Sequence, residues 1–304
     1  MLASSAIGKA QKDVQYTQYF MNTGVFNPGV AGATENLVFT GLYRSQWTGW
    51  GEGAPISQTV HVAAPVNFLK GGVSLHILND AVGLDTRTGV YLSYGYKITI
   101  GNGVLSPAIG IGFLQSGVDA GKLKANSGGD AIIPTGEANS LNTDFNIGAF
   151  YKDDALYLGA SITHINSAKL KYFASADPIS SIRVPITGHF IAGYNFPLTA
   201  TVDFNPSVLI KIDRFFNSIV PEANGNFVFN DKFFAGASYR HLDAAAGVVG
   251  YAVNDRLKLS YSYDFTVTKI NTVSNGSHEI VLRYEIPVFS KLKSDVIIKS
   301  PRFL

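Results

Sequence analysis

Six histidines, His61, His76, His164, His189, His241 and His278, are the side chains of this chain best suited to hold a metal or move a proton. No two of them share a metal-binding spacing such as His-Glu-x-x-His, so no metal site is expected. They read instead as polar groups on an interior face or near a rim. A hydrolase would pair a serine with a histidine, and Ser238 with His241 or Ser277 with His278 can be proposed. Neither pair comes with an identifiable orienting acid or oxyanion donor, so no catalysis is expected. Gly101-Asn102-Gly103 and Gly110-Ile111-Gly112 are not phosphate loops, because no helix start follows them to meet an anion. The first reads as a hairpin turn and the second as small interior packing. No cofactor is expected.

The elements that must carry these residues are strands. In one segment Leu257, Leu259, Tyr261, Tyr263 and Phe265 alternate with Lys258, Ser260, Ser262 and Asp264. In another Leu105, Pro107, Ile109, Ile111 and Phe113 alternate with Ser106, Ala108, Gly110, Gly112 and Leu114. Successive strand side chains point to opposite faces, so each segment has one apolar face and one polar or small face. No run at the 3.6-residue period with a cap stands out. About fourteen such segments follow one another: 36–46, 56–66, 71–80, 87–100, 103–117, 142–152, 155–166, 185–196, 200–212, 218–229, 232–241, 244–253, 256–268 and 278–287. Each is near the ~10 residues with which a tilted strand crosses a bilayer.

Composition agrees. Only 15% of the 304 residues are charged and the net charge is +2, which lacks the basic face that nucleic acid requires. The chain has 31 Gly, 15 Tyr and 20 Phe, and the polar faces carry Ser, Gly, Thr, Asn and Ala rather than the Lys and Glu expected in bulk water. Aromatics recur at the ends of apolar faces, at Tyr43, Tyr151, Tyr239, Tyr263 and Tyr284, which suits a membrane-interface girdle. No apolar run approaches the ~20 residues of a transmembrane helix. Cysteine is absent, which fits a compartment where stray thiols are a liability. Connections tend to alternate between short, as at Asn230-Asp231, and long, as from Val118 to Leu141 and from Asn166 to Val184. The expected fold is therefore an all-β, antiparallel up-and-down transmembrane barrel of about fourteen strands in one domain, embedded in outer-membrane lipid. Pro107, Pro185, Pro206 and Pro221 must then mark bulges or strand ends, since proline cannot donate to a ladder.

By parity, Arg44, Lys97, Asp203, Lys211, Glu222, Arg240, Lys258, Asp264, Glu279, Arg283 and Glu285 face inward. Arg44, Asp264, Glu279 and Arg283 lie on the first and last two strands, neighbours once the barrel closes, and form a candidate lumen charge cluster. Such a cluster lines a channel, holds a plug, or is a static paired lumen. Residues 1–10 resemble the end of a secretory signal, although they lack a basic start and a full apolar core. Residues 11–34 are read as a periplasmic leader packing into the barrel mouth, 35–287 as the barrel and 288–304 as a periplasmic tail. Tyr16, Tyr19, Asn27 and Trp47 are candidate structural or partner-docking residues.

Several blocks carry a resemblance. Gln15-Tyr16 with Gln18-Tyr19, Asn27-Pro28 with Ala31-Gly32, and Leu42-Tyr43-Arg44-Ser45-Gln46-Trp47 resemble the opening of the PorP/SprF family of type IX secretion outer-membrane proteins. Further blocks follow in order: Gly72-Val73-Ser74 with Asn79-Asp80, Pro206 to Lys211, Tyr261-Ser262-Tyr263-Asp264, Gly276 to Ile280, and Ser300 to Leu304. Gly29 departs from the alanine usual after Asn-Pro, and nothing in Val118–Leu141 is familiar. The resemblance implies an outer-membrane barrel without catalysis. It would be accessory to export or surface anchoring of a secreted protein such as a gliding adhesin. Its partners would be the cargo's C-terminal domain and periplasmic type IX components. A passive diffusion porin is the alternative.

Overall fold

In the computed structural model, residues 14–119, 137–171, 181–214 and 218–288 are described. The expected signal remnant 1–10, much of the Val118–Leu141 loop, and tail residues 289–304 lie outside them.

Fourteen antiparallel strands close into a barrel. They are β1 (Asn36–Ser45), β2 (Ile56–Val66), β3 (Gly71–Val82), β4 (Asp85–Tyr96, resuming at Ile98–Ile100), β5 (Gly103–Asp119), β6 (Glu137–Lys152) and β7 (Leu156–Thr163). Then come β8 (Thr187–Tyr194, resuming at Phe196–Pro197), β9 (Val202–Asp213), β10 (Ser218–Phe229), β11 (Phe233–Arg240), β12 (Ala244–Ala252), β13 (Leu257–Thr266) and β14 (Ser277–Pro287). Each pairs with its neighbours in sequence, and β1 closes on β14 from Asn36↔Pro287 to Ser45↔His278. Closure leaves no strand edge unpaired in hydrocarbon.

The side chains are distributed inside out relative to a protein in water. Ile109 is 67% exposed, Leu92 61% and Phe113 58%, whereas Ser57, Ser106, Ser116 and Ser262 are fully buried. An outer face of this kind is stable only against lipid.

Three of the four prolines fall at gaps or ends of a neighbouring ladder. Pro107 stands opposite the break in β4, where Gly95↔Ala108 and Ile98↔Leu105 pair but the residues between do not. Pro206 stands opposite the break in β8, between Gly193↔Ser207 and Phe196↔Phe204. Pro221 is one residue beyond the first β10–β11 pair, Glu222↔Arg240. Pro185 lies outside the strands, before Thr187. Each missing N–H therefore meets a place where no ladder bond is made.

The connections differ between the two ends. At the end where β1 begins they are tight. The turn after Lys152 is one example, where the backbone N–H groups of Leu156 and Ala155 donate to Asp153 and hold its carboxyl below the usual range. The other end carries the longer connections from β1 to β2, β5 to β6, β7 to β8 and β13 to β14, with tight exceptions at Gly83-Leu84 and after Arg240. Within the expected long loop Asn166–Val184, Lys169–Lys171 and Ser181–Arg183 form a small hairpin of their own.

Arginine placed on the lipid face near mid-membrane should be costly. Ile111→Arg is expected to lower unfolding stability in lipid vesicles by about 2–4 kcal/mol. The same change at Phe68, 86% exposed in a short turn, should cost far less.

Candidate functional site

A barrel this wide cannot fill its lumen with its own wall side chains, and residues 14–34 occupy the space. They lie deeper than the mouth, the position expected from sequence. Tyr16, Tyr19, Met21 and Phe26 are buried with Leu42, Phe150, Ile191, Leu209, Phe234, Val248 and Val281 from the wall, and this is the main hydrophobic core. A core inside a polar lumen demands side chains that are both apolar and hydrogen-bonding, which explains the Tyr, Gln and Asn content of the segment.

The segment enters near β1 through a four-residue helical turn, α1 (Val30–Ala33), which packs on β2 to β6. Before it, Asn27 donates from Nδ2 to the carbonyls of Ala149 (2.9 Å) and Ala160 (3.2 Å) and accepts from the Gly29 N–H. The wall beneath is Gly148 and Gly159. A Cβ on Gly148 would come within 2.3 Å of Asn27 Oδ1, and one on Gly159 within 2.7 Å of Asn27 Nδ2. Glycine is needed there because the leader touches the strand backbone.

Further in, Tyr19 packs its ring in the core and accepts at its hydroxyl from Ser207 Oγ (3.1 Å). Tyr16 meets Phe26 edge-on, and the Lys211 ammonium sits 4.8 Å over the Phe26 ring while donating to the Val14 carbonyl. Val14 thus lies toward the end of the lumen that bears the long connections, where β9 finishes.

At that end the barrel wall presents the charge cluster. Arg44 Nη2 donates to Asp264 (2.7 Å) and Nη1 to Glu279 (2.9 Å), with all three side chains at most 2% exposed. Arg240 extends the network, pairing with Glu222 (2.8 Å) and with Asp243 (2.8 Å). The two arginines face four carboxylates, and the leader supplies the balance in hydrogen bonds. The backbone N–H groups of Thr17 and Gln18 donate to the two oxygens of Glu279 at 2.9 and 2.8 Å. The Thr17 hydroxyl donates to Asp264 and accepts from Arg44 (3.1 Å) and Arg240 (3.0 Å). Gln18 Nε2 donates to the Glu279 carbonyl (3.2 Å).

Of the four charges expected to cluster, Arg44, Asp264 and Glu279 meet, and Arg283 stands apart. Its β1 neighbour is Thr40, four residues from Arg44, or about 13 Å along the strand. Arg283 pairs with Glu285 (2.8 Å) and donates to the Met21 carbonyl (3.1 Å), so it too holds the leader. Glu222 and Arg240 were legible as inward charges but not as partners of the cluster. Thr17 and Gln18 gave no signal beyond their place between the two tyrosines.

Neither serine–histidine pair forms. Ser238 donates to Glu222 (2.9 Å), whereas Ser277 accepts from the Trp47 N–H and His278 bonds the Tyr261 hydroxyl on the lipid side. The His76 ring stacks on Tyr91 and meets His61 edge-on, and His164 bonds Asp144. No cluster of three or more potential metal ligands occurs among the described residues.

Trp47 lies outside the lumen, in the β1–β2 connection. It has a positive φ of 52° and its ring is 5.9 Å from that of Trp50, which is 47% exposed. Thr48 N–H donates to Gly276 O (2.8 Å) and Asn275 N–H to Thr48 O (2.6 Å). These bonds tie the tryptophan loop to the β13–β14 connection.

An antiparallel barrel closed strand to strand, apolar outside and polar within, defines an outer-membrane β-barrel protein. Residues 8–284 match the family described as Type IX secretion system membrane protein PorP/SprF, and the chain belongs to that family. Among solved structures, the fold is similar to the toluene transporter TbuX of Ralstonia pickettii, with 10% identity, 88% of this chain and 94% of that chain covered, and a TM-score of 0.52. It is also similar to a Pseudomonas aeruginosa FadL homologue, with 12% identity, coverage of 86% and 93%, and a TM-score of 0.46. Among curated proteins none matches the sequence.

Arg44→Met removes the cation that two buried carboxylates share, and should cost about 3–5 kcal/mol in urea unfolding. Adding Asp264→Asn and Glu279→Gln should return much of that loss.

Proposed function

We propose that this protein is a plugged outer-membrane barrel, accessory to type IX export or surface anchoring of a secreted protein, with no catalytic role. The observation that carries the reading is the filled lumen. Residues 14–34 are bonded to the wall by Arg44, Asp264, Glu279, Arg240, Arg283 and Lys211, and so stand in the way of the wide aqueous path that a passive diffusion porin needs. The family membership supports the secretion context.

The tryptophan loop is the proposed docking point for the cargo's C-terminal domain. Exposed aromatics on a loop pinned by a neighbouring loop give contact area at little ordering cost. A gliding adhesin is one such cargo. Tyr16, Tyr19 and Asn27 are proposed as structural, holding the plug, and Trp47 as docking. The last strand finishes at the short-turn end, which is proposed as the periplasmic side, and periplasmic type IX components are proposed as partners there.

Deleting the gene should leave one surface protein unexported or shed, and that protein should co-purify with the barrel from native membranes. Normal display of all such cargo in the deletant would refute the reading. In planar bilayers the purified barrel should be silent, and removal of residues up to Phe26 should open a conducting pore. Stable channels in the intact protein would favour the porin.

A further inference from the structure

The tryptophan loop and the leader's anchor near the long connections are built on the same three strand ends. On β14, Ser277 accepts the Trp47 N–H (3.2 Å), and two residues further on Glu279 holds the Thr17 and Gln18 N–H groups. On β13, the Tyr263 hydroxyl donates to the Asn275 carbonyl, and the next residue, Asp264, accepts from the Thr17 hydroxyl. On β1, Arg44 stands opposite Glu279 in the ladder and three residues before Trp47. Arg44, Asp264 and Glu279 are thus each one to three residues from a bond of the loop above them.

That loop is held in a strained form. Trp47 has a φ of 52°, a left-handed conformation that a bulky residue keeps only where its surroundings impose it. The imposing bonds are few. Besides Trp47 N–H to Ser277, they are Thr48 N–H (2.8 Å) and hydroxyl (3.1 Å) to the Gly276 carbonyl, and Asn275 N–H to the Thr48 carbonyl (2.6 Å). Gly276, with a φ of 92°, lies against β13 so closely that a Cβ would come within 2.6 Å of the Tyr263 hydroxyl and 2.7 Å of the Asp264 carbonyl oxygen. Relaxing Trp47 breaks this set of bonds and frees the start of β14. Hydrogen bonds weaken steeply with stretching, so a shift of about 1 Å at Ser277 to Glu279 is enough to release the Thr17 and Gln18 N–H groups.

We propose that the tryptophan loop is a latch on the leader. Seated, it fixes the strand ends that hold Thr17 and Gln18. Drawn off by a partner that takes the Trp47 and Trp50 rings, it frees that end of the leader while Asn27 stays bound to the wall at the other. A partner achieves this by binding the relaxed loop more tightly than the seated one. What draws the loop off rests on the docking reading, whereas the link between loop and leader does not. Such a link is reciprocal, so loosening the leader must also loosen the loop.

The test needs no cargo. Trp47 and Trp50 are the two tryptophans of the chain, so their emission reads the loop, and hydrogen–deuterium exchange of the full chain in lipid nanodiscs reads the leader. Gly276→Ala, which drives a Cβ into Tyr263 and the Asp264 backbone, should shift the emission and speed exchange over residues 14–19 about tenfold, with residues 22–27 unchanged. Ser277→Ala, a milder change, should act in the same direction and replaces it if heat-shifted gel mobility shows that the first variant does not close. In reverse, Thr17→Val should shift the emission and Asn27→Ala should not. Gly51→Ala, at a φ of 98° with nothing within 4 Å of its Cβ, disturbs the loop away from the latch and should leave exchange over 14–19 as in the intact chain. Unchanged exchange over 14–19 in the folded latch variant would overturn the proposal. So would equal acceleration over 14–19 and 22–27, the mark of general loosening, or unchanged emission in Thr17→Val. Any of these leaves docking at the tryptophan loop standing, and cargo that fails to co-purify leaves the latch standing.

Discussion

A guanidinium held by two buried carboxylates, with a peptide segment lying across all three, is the contact on which the interior depends. Arg44, Asp264 and Glu279 come from three adjacent strands, β1, β13 and β14, so the cluster forms where the first strand meets the last. Unfilled, this group would leave carboxylates in excess of cations in a space walled off by lipid. Thr17 and Gln18 turn their N–H groups onto Glu279 and the Thr17 hydroxyl onto Asp264, satisfying lone pairs that no side chain of the wall reaches. Barrel closure and plug docking are thereby parts of one network, in which Arg44 Nε and Gln18 Oε1 are left without a hydrogen-bond partner among the described residues.

The plug also reverses the usual assignment of core. Wall residues of the strands face either lipid or the lumen, and neither gives a lone strand a place to bury large side chains together. The leader brings Tyr16, Tyr19, Met21 and Phe26 into the middle, and Ile191, Leu209, Phe234 and Val248 pack around them. Asn27 over Gly148 and Gly159 secures the other end of the segment, at a wall thinned to backbone. The two ends of the plug are thus held by different physics, charge near the long connections and close backbone contact near the short ones. The space left between the second anchor and the short-turn mouth is a cavity of about 220 Å³.

The features of this architecture are separated by height. The tryptophan loop and its partner connection crown one mouth, the leader occupies the middle, and short turns surround the other mouth. Residues 14–34 stand between the two mouths and are bonded to the wall at several heights.

Residue periodicity, with polar faces of Ser, Gly, Thr and Asn where a sheet in water would carry Lys and Glu, pointed to the fourteen strands, their inward and outward faces and the lipid environment. The inward direction of Arg44, Glu222, Arg240, Asp264 and Glu279 followed from the same parity. Boundaries were less legible. The Val82–Asp85 hairpin is tighter, and β6 begins earlier at Glu137, than alternation suggested, because polar strand ends above the membrane lose the apolar half of the pattern. Only the tertiary structure decided that residues 14–34 are the core of the barrel, that Arg240 joins Arg44 across the lumen through Thr17, and that Arg283 does not. Register relates a residue to its neighbours on adjoining strands. It carries no information on distances across the lumen, which depend on how the closed wall curves and on what fills it.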